Sequence, residues 1–150
     1  MFTLKDFVTE SNRIEGLGPA QPDEIAAHEL LLKTSPLTIE ALEAFVKAIA
    51  NAPLRRHTGM DVRVGNHRPP HGGARIVEDL KYLLERINDT TVSPWDAHIA
   101  YETLHPFLDG NGRSGRAIWL WQHGGMFRVP LGFLHTWYYM SLEESRIPTK

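Results

Sequence analysis

Residues 105–116, His-Pro-Phe-Leu-Asp-Gly-Asn-Gly-Arg-Ser-Gly-Arg, pack a titratable base, a carboxylate, a Gly-Asn-Gly turn and two arginines into one short stretch. The apolar run Ala117-Ile118-Trp119-Leu120-Trp121 follows directly. This order calls for a turn that feeds a helix starting near Asn111. The free N–H groups and the positive dipole end of such a helix point at whatever lies over the glycines. That is an anion site, and phosphate is its usual occupant. Gly110 and Gly112 let the backbone approach a ligand closely and form a nest of amides around Asn111. Arg113 and Arg116 fall on one side of the first helical turn, where guanidinium groups can hold a polyphosphate bidentately. Asp109 is a hard oxygen donor suited to Mg²⁺ shared with substrate phosphates. His105, just before the turn, can be neutral near pH 7, as a general base must be.

Each piece has a plainer reading. Asn-Gly is a common turn, Asp109 could serve only as an N-cap, and a lone histidine is more often structural than chemical. A plain turn, however, has no need of a histidine, an aspartate and two arginines at these spacings. The string resembles the signature of the Fic family, His-Pro-Phe-x-Asp/Glu-Gly-Asn-Gly-Arg-x-x-Arg, and every specified position is present.

Composition sets the bounds. The 150 residues suit one domain, 1–150, with a real core. A net charge of −2 gives no general pull toward nucleic acid or anionic membrane. The absence of cysteine removes disulfides, zinc–thiolate sites and a thiol nucleophile. No run approaches a membrane span, and the N-terminal residues lack the apolar stretch of a signal peptide, so the expectation is a cytoplasmic protein. Export by an unreadable signal stays open.

The remaining chain reads mostly as helices. Leu4, Phe7 and Val8 fit a first helix that stops at Gly16 and Gly18-Pro19. Pro22-Asp23-Glu24 opens a second helix, which ends near Ser35-Pro36. Thr38 caps a third, with Leu42, Phe45, Val46 and Ile49 as its apolar face. Ile76, Leu80, Leu83 and Ile87 mark a fourth, and Ser93-Pro94-Trp95-Asp96 starts a fifth that delivers His105. Trp119, Leu120 and Trp121 in the sixth read as core, Gly124-Gly125 stops it, and a last helix includes Trp137-Tyr138-Tyr139-Met140. Between the third and fourth helices, residues 60–70 alternate apolar and polar around Val62-Arg63-Val64-Gly65-Asn66 and predict a short hairpin, with a surface loop as the alternative. His57, His67 and His71 lack helical two-His spacing and a carboxylate partner, which argues against a metal site.

The resemblance carries further implications. It implies an all-α, Fic-fold helical bundle in which residues 60–70 form a β-hairpin flap that docks a target backbone through Val62, Arg63, Val64 and Gly65. Strand pairing of that kind registers a peptide without reading much of its sequence. Ser11-Asn12-Arg13-Ile14-Glu15-Gly16 resembles the family's inhibitory motif, Ser/Thr-x-x-x-Glu-Gly/Asn. Its place in residues 1–18 matches the subclass with an N-terminal inhibitory helix, though a solvated surface charge is the plainer reading of Glu15. The implied activity is AMP transfer from ATP to a Ser, Thr or Tyr hydroxyl of a target protein, with Mg²⁺ as cofactor. His105 would be the base and Phe107 the loop's anchor. Asp109 would bind the metal, Gly110, Asn111 and Gly112 the α- and β-phosphates, Arg113 the β-phosphate and Arg116 the γ-phosphate. His98, two turns before His105, would be structural support. The segment Pro130–Tyr139 departs from the family by being short, and Tyr138-Tyr139 resembles the start of its Tyr-Tyr-x-x-Leu. Transfer of another phosphate-containing group, AMP removal, a catalytically silent binding module and homo-oligomerisation remain open alternatives.

Overall fold

The computed structural model describes residues 2–125, and the expected last helix at Trp137–Met140 lies outside them. Six helices run through these residues: α1 Leu4–Ile14, α2 Pro22–Leu32, α3 Ile39–Ala50, α4 Ala74–Asn88, α5 Pro94–Leu104 and α6 Asn111–Gln122. Their starts follow the capping chemistry. Thr38 accepts from the Ala41 amide at 3.1 Å and Ser93 from the Asp96 amide at 3.1 Å. At α1 the cap is Thr3, in a reciprocal box with Asp6, so that helix begins at Leu4.

One core joins α2 to α6, with Leu42, Val46, Leu80, Tyr101, Phe107 and Ile118 at its centre. α5 and α6 lie along each other, and the buried Tyr101 hydroxyl meets Ser114 Oγ at 2.7 Å. Of the three residues expected as core in α6, Leu120 is fully buried, while Trp119 and Trp121 sit half-buried at its margin. Trp121 donates from its ring nitrogen to the Thr34 carbonyl at 2.8 Å, so its polar edge is satisfied.

The expected β-hairpin is not formed. Residues 60–70 make a loop with one isolated bridge in place of paired strands, in which Val64 and His67 exchange backbone bonds of 3.1 and 2.8 Å across Gly65-Asn66. Pro69 and Pro70 have no N–H to extend a ladder, and an isolated two-stranded ribbon is marginal in water. His67 Nε2 lies 2.9 Å from the Thr103 carbonyl and His71 Nδ1 3.3 Å from Asp61, and no His, Cys, Asp or Glu cluster able to hold a metal occurs among the described residues. No helix among those residues is long and apolar enough to cross a membrane.

α1 is the outlier in the packing. It rests on α2 and α6 through Phe7, fully buried against Leu120. Its edge meets His28, whose ring stands edge-on between Phe7 and Phe45 with centroids 6.4 and 4.8 Å away. His28 Nδ1 donates to the Glu24 carbonyl at 2.7 Å, and Nε2 is buried without a partner. Burial pushes the His28 pKa from 6.5 down to about 4, the Glu24 carbonyl and carboxylate opposing it and Arg113 and Arg116 adding to it. The sign follows from linkage. The folded state keeps His28 neutral, so its contribution is complete above pH 6.5 and is lost as pH falls toward 4, because only the unfolded chain takes up the proton. We predict that urea denaturation will show a stability loss between pH 7 and pH 4 about 3 kcal/mol larger in the parent than in His28→Leu.

Candidate active site

The site begins where α5 stops. His105 caps α5 in the left-handed region, φ 52° and ψ 63°, with its N–H on the Tyr101 carbonyl at 2.9 Å. That conformation costs a non-glycine residue roughly 1–2 kcal/mol, and it swings the chain out of the helix into the loop. The loop is then pinned from two sides. Leu54 and Phe107 form an antiparallel bridge, with the Arg55 amide on the Pro106 carbonyl at 2.8 Å and the Leu108 amide on the Pro53 carbonyl at 3.1 Å. Phe107 is fully buried in the core, in the anchoring place expected of it.

Asn111 closes the turn. Its Oδ1 accepts from the Phe107 N–H and its Nδ2 donates to the Phe107 carbonyl, both at 2.8 Å and both buried. The side chain is therefore spent on loop shape, and contact with an anion falls to the main-chain amides. Gly110, at φ 80°, is the N-cap of α6, and no side chain caps that helix. Asp109 Oδ1 instead accepts from the Gly110 N–H at 2.7 Å, so Asp109 is not the N-cap. The His105 ring is oriented by the main chain: Nδ1 lies 3.3 Å from the Glu102 carbonyl. A carbonyl only accepts, so this contact puts the ring proton on Nδ1 and makes Nε2 the basic nitrogen.

The two arginines diverge. Arg113 reaches toward α2 and α3, donating to the Ile49 carbonyl at 3.0 Å and to Glu24 at 3.4 Å. Arg116, with no exposed surface, turns toward α1. Its Nε donates to Ser11 Oγ at 2.8 Å, and its Nη2 to the Ser11 carbonyl at 3.0 Å and to Glu15 at 2.9 Å. The Glu15 carboxylate lies so close over Gly112 that a Cβ there would collide with it. The first turn of α6 thus has a carboxylate from the chain itself lying against Gly112 and paired with Arg116, and Glu15 is no ordinary surface charge.

His105, Asp109–Arg113, Val62, Arg63, Val64 and Glu15 enclose one cleft of about 530 Å³. Gly65 shapes the turn beside it, where the Arg63 Nε donates to the Gly65 carbonyl at 3.2 Å. Arg116 lies beneath α1 and is not part of the cleft wall. Asp109 offers one carboxylate at the cleft, and among the described residues no ready-made cage of ligands surrounds it. That donor set fits Mg²⁺, which keeps waters and shares substrate phosphates, better than it fits a metal held by protein ligands alone.

Sequence reasoning passed over Glu24, read only as a first-turn acid. It accepts from Asn12 Nδ2 at 3.1 Å and from the Gln21 amide at 2.8 Å while facing Arg113. Nothing in local spacing signals a contact from residue 24 to residue 113. Asn111 yields a first test of the site. Asn111→Ala leaves both polar groups of Phe107 buried and unmatched, at about 1–3 kcal/mol each. We expect urea denaturation to show a loss of that order, and a stability within 0.5 kcal/mol of the parent (roughly the spread of neutral surface changes) would contradict the clip.

The sequence matches the family model of the Fic/DOC family over residues 23–122. The matched span holds His105 to Arg116, whereas Ser11 and Glu15 precede it. No curated protein matches the chain.

Proposed function

Because this chain belongs to the Fic/DOC family, we propose that it transfers AMP from ATP to a hydroxyl side chain of a target protein and that its own first helix holds it inactive. The observation that carries this reading is the cleft itself, where a histidine base, an uncapped helix N-terminus and Arg113 meet around about 530 Å³. A volume of that size is within the range of small-molecule sites.

In this reading the amides of Gly110, Asn111 and Gly112 hold the α- and β-phosphates, and Arg113 balances charge on the leaving pyrophosphate. His105 Nε2 takes the proton of the target hydroxyl. The hydroxyl oxygen bonds to the α-phosphorus as the bond from that phosphorus to the bridging oxygen of the pyrophosphate breaks. Mg²⁺ at Asp109 would neutralise phosphate charge when bound. Positioning and fixed charges supply most of the acceleration in such transfers. Residues Val62 to Gly65 border the cleft where a target segment would lie.

Glu15 explains the resting state. Its carboxylate occupies Arg116 and the space over Gly112, where the terminal phosphate of ATP would be received. ATP entering beside it would sit with its phosphates displaced from in-line geometry, and a misplacement of about 1 Å can cost on the order of 10²-fold in rate.

The test uses ATP labelled at the α-phosphate, with the purified protein and with a cell lysate. Glu15→Gly should raise labelling of protein by about 10-fold or more, and Arg116→Ala added to it should abolish the gain. In the Glu15→Gly background, His105→Ala should keep ATP binding and lose about 10²–10⁴-fold in rate. Labelling by Glu15→Gly no stronger than by the parent would overturn the inhibitory reading. Separately, Asp109→Asn added to Glu15→Gly should fold as the parent does yet fail to label at limiting Mg²⁺, and labelling equal to that of Glu15→Gly alone would remove Asp109 from the metal site.

A further inference from the structure

Arg55 is a fully buried arginine whose guanidinium hydrogen bonds all run to main-chain carbonyls. Its Nε donates to the His105 carbonyl at 2.7 Å, and one Nη2 bond goes to the Leu104 carbonyl at 2.9 Å. From Nη1 two more bonds run to the carbonyls of Met60 at 3.1 Å and Pro70 at 2.8 Å. Met60 and Pro70 are the two ends of the loop that carries Val62, Arg63 and Val64 over the cleft. Leu104 and His105 are the last residues of α5 and its cap. One rigid, planar cation therefore binds the root of the loop on one side and the base-bearing end of α5 on the other.

The choice of residue follows from the geometry. A helix C-terminus presents unsatisfied carbonyls and partial negative charge. The neck of an irregular loop does the same, since its carbonyls have no ladder partners. Arginine alone offers five N–H groups in a fixed fork able to satisfy both at once. Burial lowers the Arg55 pKa, and nearby Asp61 opposes that shift. The main chain of residue 55 takes part as well, its N–H bonding the Pro106 carbonyl at 2.8 Å and its carbonyl accepting from Gly73 at 3.0 Å.

We propose that Arg55 is a positioning residue that locks the loop 60–70 to His105, so that target docking and base placement are set as one unit. The proposal rests on the transfer reading for its catalytic consequence, but its mechanical part stands on these bonds alone. A target segment that displaces the loop is felt at the His105 carbonyl itself through Arg55, while the separate tie from His67 reaches α5 short of it, at the Thr103 carbonyl. Lysine at this position keeps the charge but lacks the fork, and cannot reach four carbonyls facing two directions.

The experiment compares the full chain with Arg55→Lys and, as a second variant, Arg55→Gln. Amide ¹⁵N relaxation reports the mobility of Val64 and His67, and hydrogen exchange reports the His105 N–H. The expected result is concerted. Order parameters at Val64 and His67 fall, exchange at His105 rises by about 10-fold or more, and amides within α4 such as Leu83 stay unchanged. In the Glu15→Gly background, Arg55→Lys should lower kcat for self-labelling by on the order of 10²-fold while KM for ATP stays within about twofold. A purely structural staple would give general loosening, or would move KM for ATP and kcat together. Loosening of the loop without His105, of His105 without the loop, or of neither overturns the proposal, as does failure of both variants to fold. If Glu15→Gly carrying an intact Arg55 labels nothing, the transfer reading fails, and the relaxation and exchange results still decide the lock.

Discussion

Burying the Arg116 guanidinium is the requirement to which the N-terminal part of this protein answers. A cation with no exposed surface has lost its hydration, and in a low-dielectric interior it must be given anions and carbonyls or be expelled. α6 cannot satisfy it, because the residue sits on the second turn of a helix whose own carbonyls are engaged. α1 supplies what is missing, with the Ser11 hydroxyl, the Ser11 carbonyl and the Glu15 carboxylate converging on one side chain. The seat of α1 is thus chemical as well as apolar. Phe7 and Val8 are buried, and Phe7 shares its small cluster with the fully buried Leu120 and the half-buried Trp119 of α6.

A second requirement shapes the loop. The chain must leave α5, turn sharply and enter α6 with the α6 amides still free of side-chain caps. Asn111 makes this possible by bonding the Phe107 backbone twice, which holds the turn from beneath. Phe107 then fixes the loop to the core and Leu54 fixes it to the segment before residues 60–70. The same residues that leave the first amides of α6 without a side-chain cap are therefore the ones that keep the turn from collapsing onto them.

Much of this was legible in the sequence for a plain reason: the information was local. Ser93 and Thr38 cap the helices expected of them, and Pro22 opens α2. The glycines of residues 105–116 marked the turn and the start of α6 because such turns and helix N-termini are built from consecutive residues. The failures are equally physical. Alternation over residues 60–70 suggested paired strands, but pairing needs donors that Pro69 and Pro70 lack. Arg113 and Arg116 share one helical turn, yet spacing could not tell that one would bond α3 and the other α1. The roles of Arg55 and Glu24 depend on partners far along the chain, and their local context, a basic run and a helix start, is ordinary.

Glu15 shows how a local cost can mark a distant gain. It stands at the C-terminal end of α1, where the helix dipole is negative and a carboxylate is unfavourable. Neighbouring residues offer no reason for it to be there, and disagreement between local preference and position is expected where function has set the residue. The compensation comes from Arg116 and from the N-terminus of α6, which faces the carboxylate with its positive end. Its side chain is 42% exposed against 1% for Arg116, so the pair is lopsided. Removing the glutamate would leave α1 tied to Arg116 through both Ser11 bonds and packed on Leu120 through Phe7. Removing the arginine would take away all three polar ties at once. Charge over Gly112 and seating of α1 are thus separable from one side of the pair only. On the proposed reading, a phosphate competing for Arg116 need displace the Glu15 carboxylate, not the whole helix.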